Sequence, residues 1–182
     1  HLICLHRGRV FNRRNVPKNG PVLLISNHQS FFDPVIVGYG LDREVDYMAR
    51  HTLFKNSFFA KLIRSLNAFP AKRGQVDLGA VKETLRRLKS QRAVLLFPEG
   101  TRTTNGKIAA FKPGIAMLAR KAKVPVVPVV IDGAFEAWPR GSLLPKPLKP
   151  IRVSYAKPIN INEIRSMTDD QLITTIHQSL KN

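Results

Sequence analysis

The sequence predicts an α/β fold, a single domain over residues 1–182 in which a mixed, mostly buried β-sheet is covered by α-helices. Three observations carry this. Short apolar runs alternate with amphipathic helical stretches along the chain. Several of those runs are apolar throughout instead of alternating, which requires cover on both faces of the sheet. The chain has 182 residues, 43% of them hydrophobic, enough for one real core and cramped for two.

The elements follow in chain order. Residues 21–26 (PVLLIS) and 45–49 read as strands. Residues 52–67 (TLFKNSFFAKLIRSLN) read as one helix, with Phe54, Phe58, Phe59, Leu62, Ile63 and Leu66 on a broad arc and Lys61 and Arg64 opposite. Lys55 falls inside that arc, so the face suits either the core or a membrane surface. Leu78, Val81, Leu85 and Leu88 recur at helical spacing with charged residues between them, a packed surface helix. Residues 93–97 (AVLLF) form the next strand, and a helix begins at Phe111-Lys112-Pro113-Gly114 and runs to Lys121. Residues 125–131 are a strand whose two prolines favour an edge position or a strand entrance. Residues 133–150, rich in Gly and Pro, read as a loop, with Trp138 either an interfacial anchor or a lid over the core. A strand at 151–155 follows. Thr168 and Gln171 then form a capping box for a C-terminal helix over 168–181 that carries Leu172, Ile173, Ile176 and Leu180.

The charge of +18, from 30 Lys and Arg against 12 Asp and Glu, calls for an anionic partner: nucleic acid, an acidic membrane or a phosphorylated substrate. Nucleic acid is set aside, because neither an aromatic and basic platform nor a recognition helix is evident. The single cysteine, Cys4, makes no internal disulfide and gives no sign of an oxidising compartment. No apolar run approaches the ~18 residues that cross a bilayer. His1, Cys4 and His6 match no zinc spacing, so no metal is expected. No GxSxG elbow accompanies Ser30, which argues against a serine hydrolase.

Two segments carry chemistry. Asn27-His28-Gln29-Ser30-Phe31-Phe32-Asp33-Pro34 follows the first strand, where α/β domains assemble their sites. Residues five apart on one helix point away from each other, so a contact between His28 and Asp33 needs a turn. Asp33-Pro34 supplies a helix start that leaves His28 in the turn ahead of it. The pair is then either a general base with its orienting carboxylate or a plain cap and turn residue. The second segment, Phe97-Pro98-Glu99-Gly100-Thr101-Arg102, also follows an apolar strand. Gly100 permits close backbone approach, Arg102 and the neighbouring amides suit a phosphate, and Lys112 adds a cation at the next helix start.

The order NH-x4-D, an Arg-bearing loop, FPEGTR and VPVVPV resembles the glycerolipid acyltransferases, specifically the 1-acylglycerol-3-phosphate (lysophosphatidic acid) acyltransferases, over roughly residues 16–158. The resemblance implies a glycerol-3-phosphate acyltransferase-like fold and direct transfer of a fatty acyl group from acyl-CoA or acyl-ACP to lysophosphatidic acid, with no other cofactor. In that reading His28 is the base, Asp33 its partner, and there is no acyl-enzyme. Glu99, Gly100, Thr101, Arg102 and Lys112 form the acceptor-binding set, with Arg73 from the second block. That block, Asn67 to Arg73, departs from the commoner pattern, which opens with Gly and has Ile where Pro70-Ala71 stand. Thr103 replaces the usual Ser, retaining a hydroxyl. VPVVPV is structural. A related enzyme acting on glycerol-3-phosphate or another lysophospholipid shares these blocks. The resemblance places the protein at the cytoplasmic face of an anionic membrane, peripheral or anchored by a segment outside this chain.

Overall fold

The computed structural model describes residues 8–72, 77–112, 114–142, 144–146 and 149–181. Seven strands among them form one sheet: β1 (Arg9–Phe11), β2 (Val22–Ser26), β3 (Val45–Arg50), β4 (Ala68–Ala71), β5 (Ala93–Leu96), β6 (Val126–Asp132) and β7 (Arg152–Tyr155). Their order is β1-β7-β6-β2-β5-β3-β4. All neighbours are parallel except β6 and β7, so the sheet is mixed, as expected.

The helices are α1 (Asp33–Tyr39), α2 (Ser57–Ser65), α3 (Leu78–Lys89), α4 (Gly114–Ala122), a single turn α5 (Ala134–Ala137), α6 (Ile161–Ser166) and α7 (Asp169–Ser179). They cover both faces. Successive β2 side chains point to opposite sides, and Val22 and Leu24 pack with Ile36 and Val37 of α1 and Ile63 of α2. Leu23 and Ile25 pack with Leu88 of α3, Ile115 and Leu118 of α4, and Leu172 and Ile176 of α7. Residues 22–25 are all fully buried. Each such Val, Leu or Ile contributes about 1.5–3 kcal/mol, which is why this apolar run occupies the centre.

The proline-rich strand corrects an expectation. β6 lies between β7 and β2, not at an edge. Pro125 does stand at the entrance, but Pro128 is interior, paired with Ile25. A bulge accommodates it. Val129 pairs with Tyr155 and Val126 with Ile159, so three residues on the β7 side face two on β6. The Pro128 carbonyl still accepts from Ala156 N–H at 2.9 Å, and its missing donor falls where β7 has just ended.

The helix expected over 52–67 is divided. His51–Phe54 is one 3-10 turn, and α2 begins only after Asn56, whose side chain accepts from Phe59 N–H at 2.9 Å. A good N-cap inside an apolar pattern starts a new helix. The sequence reading missed β1 and β4. The first is three exposed residues, and the second, AFPA, is an edge strand that tolerates Pro70. The expected loop over 133–150 contains α5.

At the start of β3, Asp46 is buried and paired with Arg87 at 2.8 Å and Arg92 at 2.6 Å. Glu83 and Glu44 complete the cluster from its rim, at 2.7 Å from Arg87 and 2.8 Å from Arg92. It ties α3 to β3 and β5.

Candidate active site

β6, β2 and β5 are parallel neighbours, so their C-terminal ends open on the same edge of the sheet, where parallel sheets place their sites. The chain leaving β2 is fastened to the end of β6 by two buried amides. Asn27 Nδ2 donates to the Ile131 carbonyl and its Oδ1 accepts from Ile131 N–H, both at 2.8 Å. Gln29 Oε1 accepts from Ala134 N–H at 3.0 Å and Phe135 N–H at 3.2 Å, at the start of α5. These flanking residues fix the backbone on either side of His28.

His28 and Asp33 are in contact, as the turn argument required, with Nδ1 2.7 Å from Oδ2. The same oxygen accepts from Gln29 N–H at 2.6 Å and Ser30 N–H at 2.8 Å. One detail differs from expectation: Asp33 is the first residue of α1, not its cap, and Phe32 is the N-cap, with no side-chain capping bond. The carboxylate is turned back onto residues 28–30 and is taken up there. Because a carboxylate oxygen only accepts, Nδ1 carries the proton and Nε2 presents a lone pair. The ring lies flat on Phe97, centroids 4.0 Å apart and planes 17° from parallel. Its side chain is 13% exposed, and that of Asp33 is fully buried.

The FPEGTR loop is bonded directly to the histidine. Glu99 Oε1 accepts from His28 N–H and Oε2 from Ala109 N–H, each at 2.8 Å, and Thr103 N–H donates to the His28 carbonyl at 2.8 Å. Both Glu99 oxygens are therefore engaged by backbone, and burial raises its carboxyl above the ordinary carboxylate range. Gly100 holds φ +70°, and a Cβ there would meet the Lys112 side chain at 3.4 Å. Lys112 thus lies over the loop, its own N–H bonded to the Pro98 carbonyl at 2.8 Å. Thr101 is partly exposed.

Arg102 makes no hydrogen bond or ion pair among the described residues and rests 6.0 Å from the centre of the Phe31 ring. Burial, with the charge of Arg140 beside it, lowers its guanidinium from the ordinary arginine value. A guanidinium with no hydrogen bond or ion pair among the described residues suits an anion. Arg140 was not among the residues read from sequence, and only its place in a turn two residues after Trp138 hinted at it. Arg73, the remaining acceptor-binding expectation, lies outside the described residues, as do His1, Cys4 and His6. Among the described residues no group of His, Cys, Asp or Glu is placed to hold a metal.

Aromatic rings wall the site. Trp138 packs on Phe32 at 4.3 Å and Phe31 at 6.1 Å, so it covers the start of α1. Beneath it an apolar cleft runs from Ser30 and Phe32 past Ile36 to Ile151 and Val153. The arrangement combines an oriented imidazole base, unpaired cations to hold an anionic group and an apolar cleft. Asn27, Gln29 and Thr103 were also missed by the sequence reading as site residues. Polar residues on both sides of a histidine at the end of a buried strand were the available signal.

The chain is similar to known proteins. A family profile described as Acyltransferase matches residues 7–132. The chain is 29% identical over 134 residues to the 1-acyl-sn-glycerol-3-phosphate acyltransferase of Bacillus subtilis (strain 168), covering 72% of this chain and 66% of that one. It is 28% identical over 200 residues to the Saccharomyces cerevisiae protein of the same name, covering 98% and 63%. The crystal structure of the 1-acyl-sn-glycerophosphate (LPA) acyltransferase PlsC from Thermotoga maritima superimposes with a TM-score of 0.78 at 26% identity, covering 96% of this chain and 69% of that one. The chain spans less than two thirds of the length of these two curated relatives.

Proposed function

From the premise that this chain belongs to the acyltransferase family, we propose that it transfers a fatty acyl group from a thioester to the free hydroxyl of 1-acylglycerol-3-phosphate, forming phosphatidic acid. The observation that carries the reading is the 2.7 Å contact between His28 Nδ1 and Asp33 Oδ2 in a loop bonded to FPEGTR. The names of the relatives supply the substrate class.

In this mechanism His28 Nε2 takes the acceptor hydroxyl proton as the oxygen attacks the thioester carbonyl. Asp33 keeps the ring in the required tautomer and stabilises the imidazolium that forms. The C–S bond then breaks, and the thiolate leaves with the proton from His28. The acceptor phosphate sits on Arg102 with Arg140 and Lys112, which places its hydroxyl against the base. Glu99 acts through the backbone, by holding His28 and the 100–109 loop in register. The acyl chain enters the apolar cleft under Trp138. Either acyl-CoA or acyl-ACP supplies the thioester, and no metal is required. The protein works at the cytoplasmic face of an anionic membrane.

The test is to incubate the protein with lysophosphatidic acid and acyl-CoA or acyl-ACP and follow phosphatidic acid. Phosphatidic acid should form with either donor or one of them. Transfer to glycerol-3-phosphate in preference to lysophosphatidic acid would contradict the acceptor assignment.

A further inference from the structure

The His28 ring touches one group to which the mechanism above gives no part, the aromatic ring of Phe97. How the two meet is set by the sheet. β2 and β5 are parallel neighbours in the register Val22↔Ala93 and Leu24↔Leu95, and these four side chains lie in one core. Alternation by twos, carried past the strand ends, brings His28 and Phe97 to that same face, one from each strand exit. Phe97 is fixed independently of the histidine. β5 ends directly before it, Pro98 after it biases its backbone to the extended region, and its carbonyl accepts from Gly100 N–H at 3.0 Å. Its ring packs against the same core as Ile36 and Val37 of α1 and Ile63 of α2. The imidazole therefore lies on a platform that the fold has already placed.

The two contacts on the imidazole do different things. The contact of Nδ1 with Asp33 Oδ2, at 2.7 Å, holds one atom of the ring and leaves its plane to turn about that point. The Phe97 face, with centroids 4.0 Å apart and planes 17° from parallel, sets the plane. Together they leave Nε2 one direction in which to present its lone pair. The stack also bears on charge. A cation within about 6 Å of an aromatic centroid is drawn to the negative face of the ring, most strongly where water is kept away. The His28 side chain is only 13% exposed. Because the imidazole becomes cationic when Nε2 takes a proton, this attraction grows between the resting enzyme and the transition state, which is the condition for raising kcat. A leucine would fill the space but supply neither the flat contact nor the negative face. We propose that Phe97 is a positioning residue for the reaction, its ring fixing the plane of the His28 base and steadying the positive charge that the base acquires. The inference rests on the acyl-transfer reading, in which His28 is that base.

The experiment keeps the shape of the side chain and changes its electrons. Phenylalanines carrying one, two and three ring fluorines, introduced at position 97, weaken the negative face in steps while the packing stays close to native. In phosphatidic acid formation from lysophosphatidic acid, kcat should fall about twofold or more per fluorine, with KM for the acceptor within about twofold of wild type. Thermal unfolding should stay within a few degrees of wild type across the series. Phe97→Leu should lose about tenfold or more in kcat, and Phe97→Tyr, which keeps the aromatic face, should recover most of it. Equal kcat across the fluorinated series, or a folded Phe97→Leu protein that turns over at the wild-type rate, would overturn the proposal and leave His28 as the base. So would a kcat that follows the unfolding temperature and ignores fluorination, since that is the behaviour of a purely structural side chain. A wild-type protein that forms no phosphatidic acid would refute the acyl-transfer reading, and the proposal with it.

Discussion

At the residue scale, the histidine is positioned less by its own side chain than by what holds its backbone. Glu99 shows this, spending both oxygens on amides from segments 71 and 10 residues away in sequence. Replacing it with Gln turns one amide N–H toward an NH2 group, and the expected result is a loss of at least tenfold in kcat with KM less affected. The substitution also has a pH signature. Burial raises the Glu99 carboxyl above its ordinary 4.5, so the folded chain takes up a proton at a pH where the unfolded chain still carries the charge. The folded state then binds more protons, so this group adds stability as pH falls through its folded-state pKa and is complete below 4.5. Denaturant titrations at intervals from pH 7 to 4.5 should therefore show wild type losing less stability than Glu99→Gln, whereas parallel profiles would exclude the effect. At Arg140 the expectation is a KM effect. Arg140→Ala should raise KM for lysophosphatidic acid several-fold with kcat nearly unchanged, and Arg152→Ala, an exposed residue paired with Asp132, should not. His28, Asp33 and Arg102 were legible because each stands in a motif with a stated spacing. Arg140 was not, because it reaches the site only through the packing of Trp138 on Phe31 and Phe32, which no local pattern encodes.

At the element scale, periodicity identified most of what is buried on both sides. It read β2, β3, β5, β6 and β7 to within a residue or two and found α3, α4 and α7. The capping box of Thr168 and Gln171 is present, each side chain bonded to the other's backbone. What escaped are β1, too short to show a pattern, and β4 with its edge proline; of β6 only the place in the sheet was misjudged, because Pro128 sits inside a central strand. The 3-10 turn before α2 escaped for the opposite reason, since its apolar pattern ran on through the Asn56 cap. Two substitutions test the element-level account by equilibrium unfolding. Asp46→Ala leaves Arg87 and Arg92 without their buried partner and should cost about 3 kcal/mol. Gly133→Ala should be at least as damaging, because φ is +79° and the new Cβ would stand 2.1 Å from the Pro150 carbonyl oxygen. A loss below about 0.5 kcal/mol in either would mean the cluster or the β6–α5 junction relaxes freely.

At the scale of the whole molecule, two properties coincide: a charge of +18 and a site at the open edge of the parallel strands. Among the described residues no helix is long and apolar enough to cross a membrane. The proposed catalysis asks the sheet only to hold one imidazole, one carboxylate and a cationic loop in a fixed relation. The most direct test is single-turnover acyl transfer to lysophosphatidic acid by wild type and His28→Ala, with thermal unfolding recorded on the same samples. The account predicts that the variant unfolds at the wild-type temperature within a few degrees and loses about 100-fold or more of the rate. A folded His28→Ala protein that makes phosphatidic acid at a rate comparable to wild type would contradict it.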